Sequence, residues 1–188
     1  MPSAYVPAIA VALAPAPIAA SEVVARMRGR MDLAGALGLG TLALSLLFVG
    51  GHGSLAAAGL FTAVEAYAVP AMFAGALPTL RDRLLPLLRP AGWLAFAAVL
   101  AVGIASGPAI DGATILVALA LLVAGVISAA VVALGTGRDV TAAIAGAGLR
   151  DPALAIAFAL VVGANAGIPL VYGAGVVALA GLGLLRAR

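Results

Sequence analysis

Apolar runs long enough to cross a bilayer recur along this chain with short connections between them, and that repetition constrains the fold more than any other feature. A transmembrane helix needs about 17 to 25 mostly apolar residues. Such runs cover residues 4–28, 33–50, 55–78, 91–107, 113–135, 140–162 and 168–185, which predicts seven transmembrane segments. A soluble core cannot absorb the pattern: of 188 residues 65% are hydrophobic and 9% charged, against about 25% charged in an ordinary soluble domain. The expected fold class is all-α, a polytopic membrane protein with the lipid bilayer as its first partner. Its 24 glycines and still more numerous alanines suit helices whose backbones approach closely in lipid, where contact replaces the hydrophobic drive.

The charges that do occur are distributed by side. All ten basic residues are arginines, and nine lie at the ends of the runs or between them: Arg26, Arg28 and Arg30 at the close of the first, Arg81, Arg83 and Arg89 after the third, Arg138 after the fifth, Arg186 and Arg188 at the end. The connections around His52, Asp111 and Asn165 carry none. The positive-inside bias then puts the N-terminus outside and the C-terminus in the cytoplasm, as seven crossings require. No arginine precedes the first run, so it is not expected to be a cleavable signal peptide. A pI near 10.2 reflects these loop arginines, not a nucleic-acid surface. With no cysteine and a single histidine, disulfides, thiolate metal sites and histidine-rich centres are excluded.

The first and sixth runs are interrupted near their middles. The first contains Ala14-Pro15-Ala16-Pro17-Ile18-Ala19-Ala20-Ser21-Glu22, and the sixth contains Gly146-Ala147-Gly148-Leu149-Arg150-Asp151-Pro152-Ala153. Proline removes a backbone donor and clashes with the preceding turn, so Pro15, Pro17 and Pro152 predict half-helices around unwound stretches. Non-helical backbone at membrane depth is tolerated where it packs in protein or faces a wet cavity. Five crossings separate the two runs, so they run antiparallel, as the two broken helices of an inverted repeat do.

Pro15-Ala16-Pro17 with Ala20-Ser21-Glu22, and Gly148-Leu149-Arg150-Asp151-Pro152-Ala153-Leu154-Ala155, resemble the two crossover helices of the bile acid:sodium symporter family. The resemblance spans essentially the whole chain as the fourth to tenth helices of that ten-helix fold. It implies that residues 1–54 end the first inverted repeat, 55–112 are panel-type helices, and 113–188 are core helices with the second crossover. It also implies the cytoplasmic membrane of a bacterium, and a truncated product, a wrongly chosen start, or one half of a two-chain or homo-oligomeric transporter, since three helices have no counterpart. Where sodium-coupled members carry an acidic residue and a glutamine, this chain has Gly146 and Arg150, which resembles a bacterial branch with a basic residue there.

The resemblance makes Ser21 and Glu22, with Thr41 the nearest oxygen donor on the next helix, a candidate sodium site; oxygen ligands suit a hard cation. Ser21 capping a half-helix and Glu22 favouring its N-terminal dipole account for the same residues. Arg150 and Asp151 sit mid-run, where an ionised side chain costs at least about 2.5 to 3.5 kcal/mol. They serve either as a site or as a local pair with each other or with Glu22. Glu65, mid-run in the third segment, is a cavity residue of the panel or a protonated acid bonded between helices. His52 is a loop residue, Trp93 an interfacial anchor, and Asn165 and Tyr172 have no assigned role. Glycine pairs such as Gly35 with Gly38 are packing features and not phosphate loops.

Together these readings predict a secondary active transporter of a small organic anion, working by alternating access. Sodium is the candidate coupling ion, and no resident cofactor is expected. The alternative is a truncated or half-size membrane subunit without transport of its own. An enzyme is not expected, because no His-Glu-x-x-His pair, serine with a placed histidine, or aspartate pair is present.

Overall fold

Every regular element among the described residues is helical, the form that satisfies backbone groups within one segment when water is not at hand. The structure, a computed structural model, describes residues 5–14, 24, 26–52 and 77–186. In chain order these give α1 (Val6–Leu13), α2 (Met31–His52), α3 (Pro78–Ala105), α4 (Gly112–Gly135), α5 (Val140–Ala143), a π-helical turn (Ile144–Gly148), α6 (Pro152–Val161) and α7 (Gly167–Arg186). Among the described residues two stretches are long and apolar enough to cross a membrane, α4 and Val140–Leu160. The first is mostly exposed and the second mostly buried. Leu116, Val132 and Leu134 line the exposed face of α4, and residues 152–157 are buried all round.

Side chains and turns set the ends of these helices. Asp111 caps α4 by accepting from the Thr114 amide at 2.7 Å, and the Thr114 hydroxyl together with that amide lowers its carboxyl pKa; Asp139 caps α5 through the Ala142 amide at 3.1 Å. At the far ends the amides of Arg138 and Ala164 each reach back five residues, to Ala133 and Ala159, both at 2.8 Å. The residue before each is a glycine with positive φ, Gly137 at 62° and Gly163 at 70°, as this closure prefers. Gly29 reaches Val24 in the same way at 2.8 Å, but there Arg28 takes the left-handed position at φ 59°.

The helices stack so that the connections sort into two groups. At one end Asn165 Nδ2 donates to the Ala109 carbonyl at 3.0 Å, joining the α3–α4 and α6–α7 connections. At the other the Arg30 amide donates to Asp139 Oδ2 at 2.7 Å, and a Cβ on Gly183 of α7 would meet the Met27 sulfur at 3.0 Å. Arg30 also pairs with Asp32, which lowers the Asp32 carboxyl pKa. Thus the arginine-free connections around Asp111 and Asn165 lie together, and the arginine-bearing ones around residues 27–30 and 138 lie together opposite them. Between the ends α4 packs on α7 and on the π turn, α6 on α1, α3 and α7, and α2 on the π turn.

Two expectations need correction. The stretch holding Arg81, Arg83 and Arg89 is not a loop: it is the first part of α3, which begins at Pro78 instead of residue 91 and puts Trp93 well inside the helix. Hydropathy marks depth in the bilayer and not helicity. At 28 residues α3 is about 42 Å long, and its arginines fall in its first half, ahead of the apolar stretch. Likewise His52 is the last residue of α2 and not part of a connection.

Candidate functional site

The break in the sixth apolar run is where the charges collect. α5 gives way to the π turn, whose last bond runs from the Leu149 amide to the Ile144 carbonyl at 2.8 Å. Leu149 then turns extended, at φ −92° and ψ 147°, and Asp151 follows at φ −73° and ψ 111° before Pro152 opens α6 as its first residue. Proline there lacks only an amide that would be orphaned anyway. One Asp151 carboxylate oxygen accepts from the Ala153 and Leu154 amides at 2.8 and 3.1 Å, capping α6 with a side chain only 1% exposed. Isolated π turns of this kind are frequent at functional sites.

The break sits deep. Gly148, the last residue of the π turn, packs on Gly125, which lies near the middle of α4, and a Cβ on Gly148 would meet the Gly125 carbonyl oxygen at 2.8 Å. Gly146 faces α2, where a Cβ would meet the Ala34 carbonyl oxygen at 2.7 Å and Leu37 Cβ at 3.0 Å. No larger residue fits either place without moving backbone. Thr41, one turn beyond Leu37 on α2, donates its hydroxyl to the Gly38 carbonyl at 2.9 Å.

Arg150 is the half-buried residue between these parts. Its guanidinium Nη1 donates to the Ala14 carbonyl at 3.5 Å, the long end of a hydrogen bond. Ala14 is the C-cap of α1, at φ −59° and ψ 144°, the extended form imposed on a residue before proline. The contact therefore puts a cation at the negative end of α1, while Asp151 puts an anion at the positive end of α6. Of the two roles open to Arg150 and Asp151, the local pair with each other does not form among the described residues: Arg150 meets the end of α1 and Asp151 the start of α6. The Arg150 amide, left without a helical acceptor, donates to the Tyr172 hydroxyl at 2.9 Å. Tyr172, 1% exposed, packs in one apolar cluster with Val11, Ala14, Leu122 and Leu154.

The structure thus brings Arg150, Asp151 and Pro152 together against the end of α1, with Gly146 and Thr41 along the α2 side. Pro15, Pro17, Ser21, Glu22 and Glu65 lie outside the described residues. Among the described residues no three histidine, cysteine or acidic side chains group as metal ligands. Tyr172 and Ala14 were not singled out by sequence. A signal for the first existed: a break inside an apolar run frees an amide that must find an acceptor, and Tyr172 is one of few polar residues in the next run. Removing the cap by Asp151→Ala is expected to lower stability in detergent by about 1 to 2 kcal/mol, with Asp151→Asn costing less because asparagine also caps. Equal losses, read by thermal unfolding, would show that the charge and not the cap matters.

The chain matches no protein-family model, no curated protein and no solved structure.

Proposed function

We propose that this protein is a seven-span secondary transporter of a small organic anion, related to the bile acid:sodium symporters, with its solute bound at the crossing of two broken helices. The observation that carries the reading is Arg150, a guanidinium held at mid-helix depth beside a break and joined to the chain's first half-helix by one long hydrogen bond. An ionised group so placed is costly, and such residues mark solute paths by default. With five donors in a planar fork, Arg150 has capacity left for a carboxylate. The α6 N-terminus adds a favourable dipole, although Asp151 already occupies part of it. Alternating access would proceed by movement of panel helices against the unit that contains the break.

Flux tests the function: vesicles holding the full chain should accumulate labelled mono- or dicarboxylates down an imposed gradient, and empty vesicles should not. Topology is tested separately. Because the chain has no cysteine, single-cysteine variants report cleanly. An impermeant maleimide added outside cells should modify His52→Cys and spare Arg28→Cys and Arg83→Cys. The reverse pattern would overturn the orientation, with its N-terminus outside and C-terminus in the cytoplasm.

The exposed apolar face of α4 favours a second reading, a half-size subunit completed by another chain. Lipid covers such a face equally well. A purified complex of defined stoichiometry larger than one chain would support the subunit.

A further inference from the structure

We infer that Tyr172 is a positioning residue that holds Arg150 in the break. Its hydroxyl, 22 residues further along the chain, is the acceptor for the Arg150 amide at 2.9 Å, the amide that follows the last bond of the π turn. A buried amide without an acceptor is costly, so this bond selects the backbone conformation of the break.

Three features fix the phenol itself. Tyr172 is 1% exposed among Val11, Ala14, Leu122 and Leu154, which leaves the ring little choice of rotamer. The next residue, Gly173, draws α7 against the start of α6, since a Cβ there would meet Pro152 Cβ at 2.8 Å. Ala14, whose carbonyl receives the guanidinium, belongs to the same cluster as the ring. Tyr172 therefore bonds the Arg150 amide and shares one packed cluster with the residue whose carbonyl receives the guanidinium. The guanidinium is the far end of a long, flexible side chain, so a change in backbone angle at Arg150 is carried outward and enlarged at its donors. The ring alone would fill the space; the hydroxyl sets the angle.

The consequence for solute recognition rests on the transport reading, but the positioning does not. It is measured on the purified full chain by site-resolved amide hydrogen exchange. Tyr172→Phe keeps the ring and deletes the acceptor, so the Arg150 amide should exchange about tenfold faster while the Ala153 and Leu154 amides, held by Asp151, keep their protection. In parallel, phenylglyoxal modification of the Arg150 peptide should rise severalfold. A merely structural ring would leave both readings unchanged or would loosen all three amides together, and either result overturns the proposal. Should Tyr172→Phe fail to fold, the wild-type chain grown with 3-fluorotyrosine weakens the same acceptor without changing the packing, and an unchanged Arg150 exchange rate there is equally decisive. If these readings succeed and vesicles show no carboxylate flux with either protein, the transport reading fails alone.

Discussion

Arg150→Gln is expected to lower carboxylate flux in reconstituted vesicles by about ten- to a hundredfold, the range set by losing charge-assisted hydrogen bonds worth about 1.5 to 3 kcal/mol. Its effect on stability should run the other way. Among the described residues the hydrogen bond that glutamine forfeits is the 3.5 Å one to the Ala14 carbonyl, worth no more than about 1 kcal/mol, whereas a charge at the membrane depth that the transport proposal gives it costs at least about 2.5 kcal/mol. Relief of the buried charge outweighs the lost bond, so the variant should melt at or above the wild-type temperature in detergent. A variant that transports normally removes Arg150 from the mechanism. One that loses flux and stability together identifies a structural clamp instead of a binding group.

The same residue bears on the coupling ion. Arginine stays protonated in proteins, so a guanidinium at the negative end of α1 supplies in place the charge that a bound cation would otherwise bring. Replacing sodium by potassium on both sides of the vesicle should then leave the flux within about twofold of its starting value, a difference too small to count on the scale of about 1.4 kcal/mol per decade. Flux that vanishes without sodium would refute this substitution and return attention to Ser21, Glu22 and Thr41.

How much of this was legible follows from which physical demands are local. The limits of helices α2, α4 and α7 fall within about two residues of the apolar runs, because a long contiguous apolar run favours one continuous helix and caps such as Asp111 and Asp139 stand where the runs begin. The break at Arg150 was legible for the same reason, since proline and two charges contradict a continuous apolar helix wherever they occur. Partners of the break were not. Whether the Arg150 amide meets Tyr172 depends on how α7 is rotated against α6, and the sequence holds that only in the joint packing of many small residues. The arginine-bearing first half of α3 escaped because hydropathy does not separate a polar stretch of helix from a loop. Glycine abundance announced close helix packing, yet not that Gly125 and Gly148 are the pair that touches.

That pair supports the prediction with the largest effect on stability. A Cβ on Gly125 would collide with the Gly148 carbonyl oxygen, and one on Gly148 would meet both the Gly125 oxygen at 2.8 Å and Ala129 Cβ at 2.9 Å. Backbone stands against backbone here, so no flexible side chain can yield. Overpacking ordinarily costs about 1 to 3 kcal/mol, and this contact belongs at the top of that range because relief must come from the π turn or α4 moving as a whole. Gly125→Ala should therefore lower the melting temperature in detergent by about 6 to 12 °C, at about 2 to 4 °C per kcal/mol for a chain of this size. Gly40→Ala and Gly181→Ala are the controls: nothing lies within 4 Å of a Cβ at either, and alanine in a helix interior gains about 0.5 to 1 kcal/mol over glycine. Their melting temperatures should hold or rise. The displaced π turn also carries Arg150 with it, so Gly125→Ala should lose carboxylate flux below its own melting point, while Gly181→Ala keeps it. A Gly125→Ala protein that melts with the wild type would mean that α4 and the π turn do not make this contact in the folded chain.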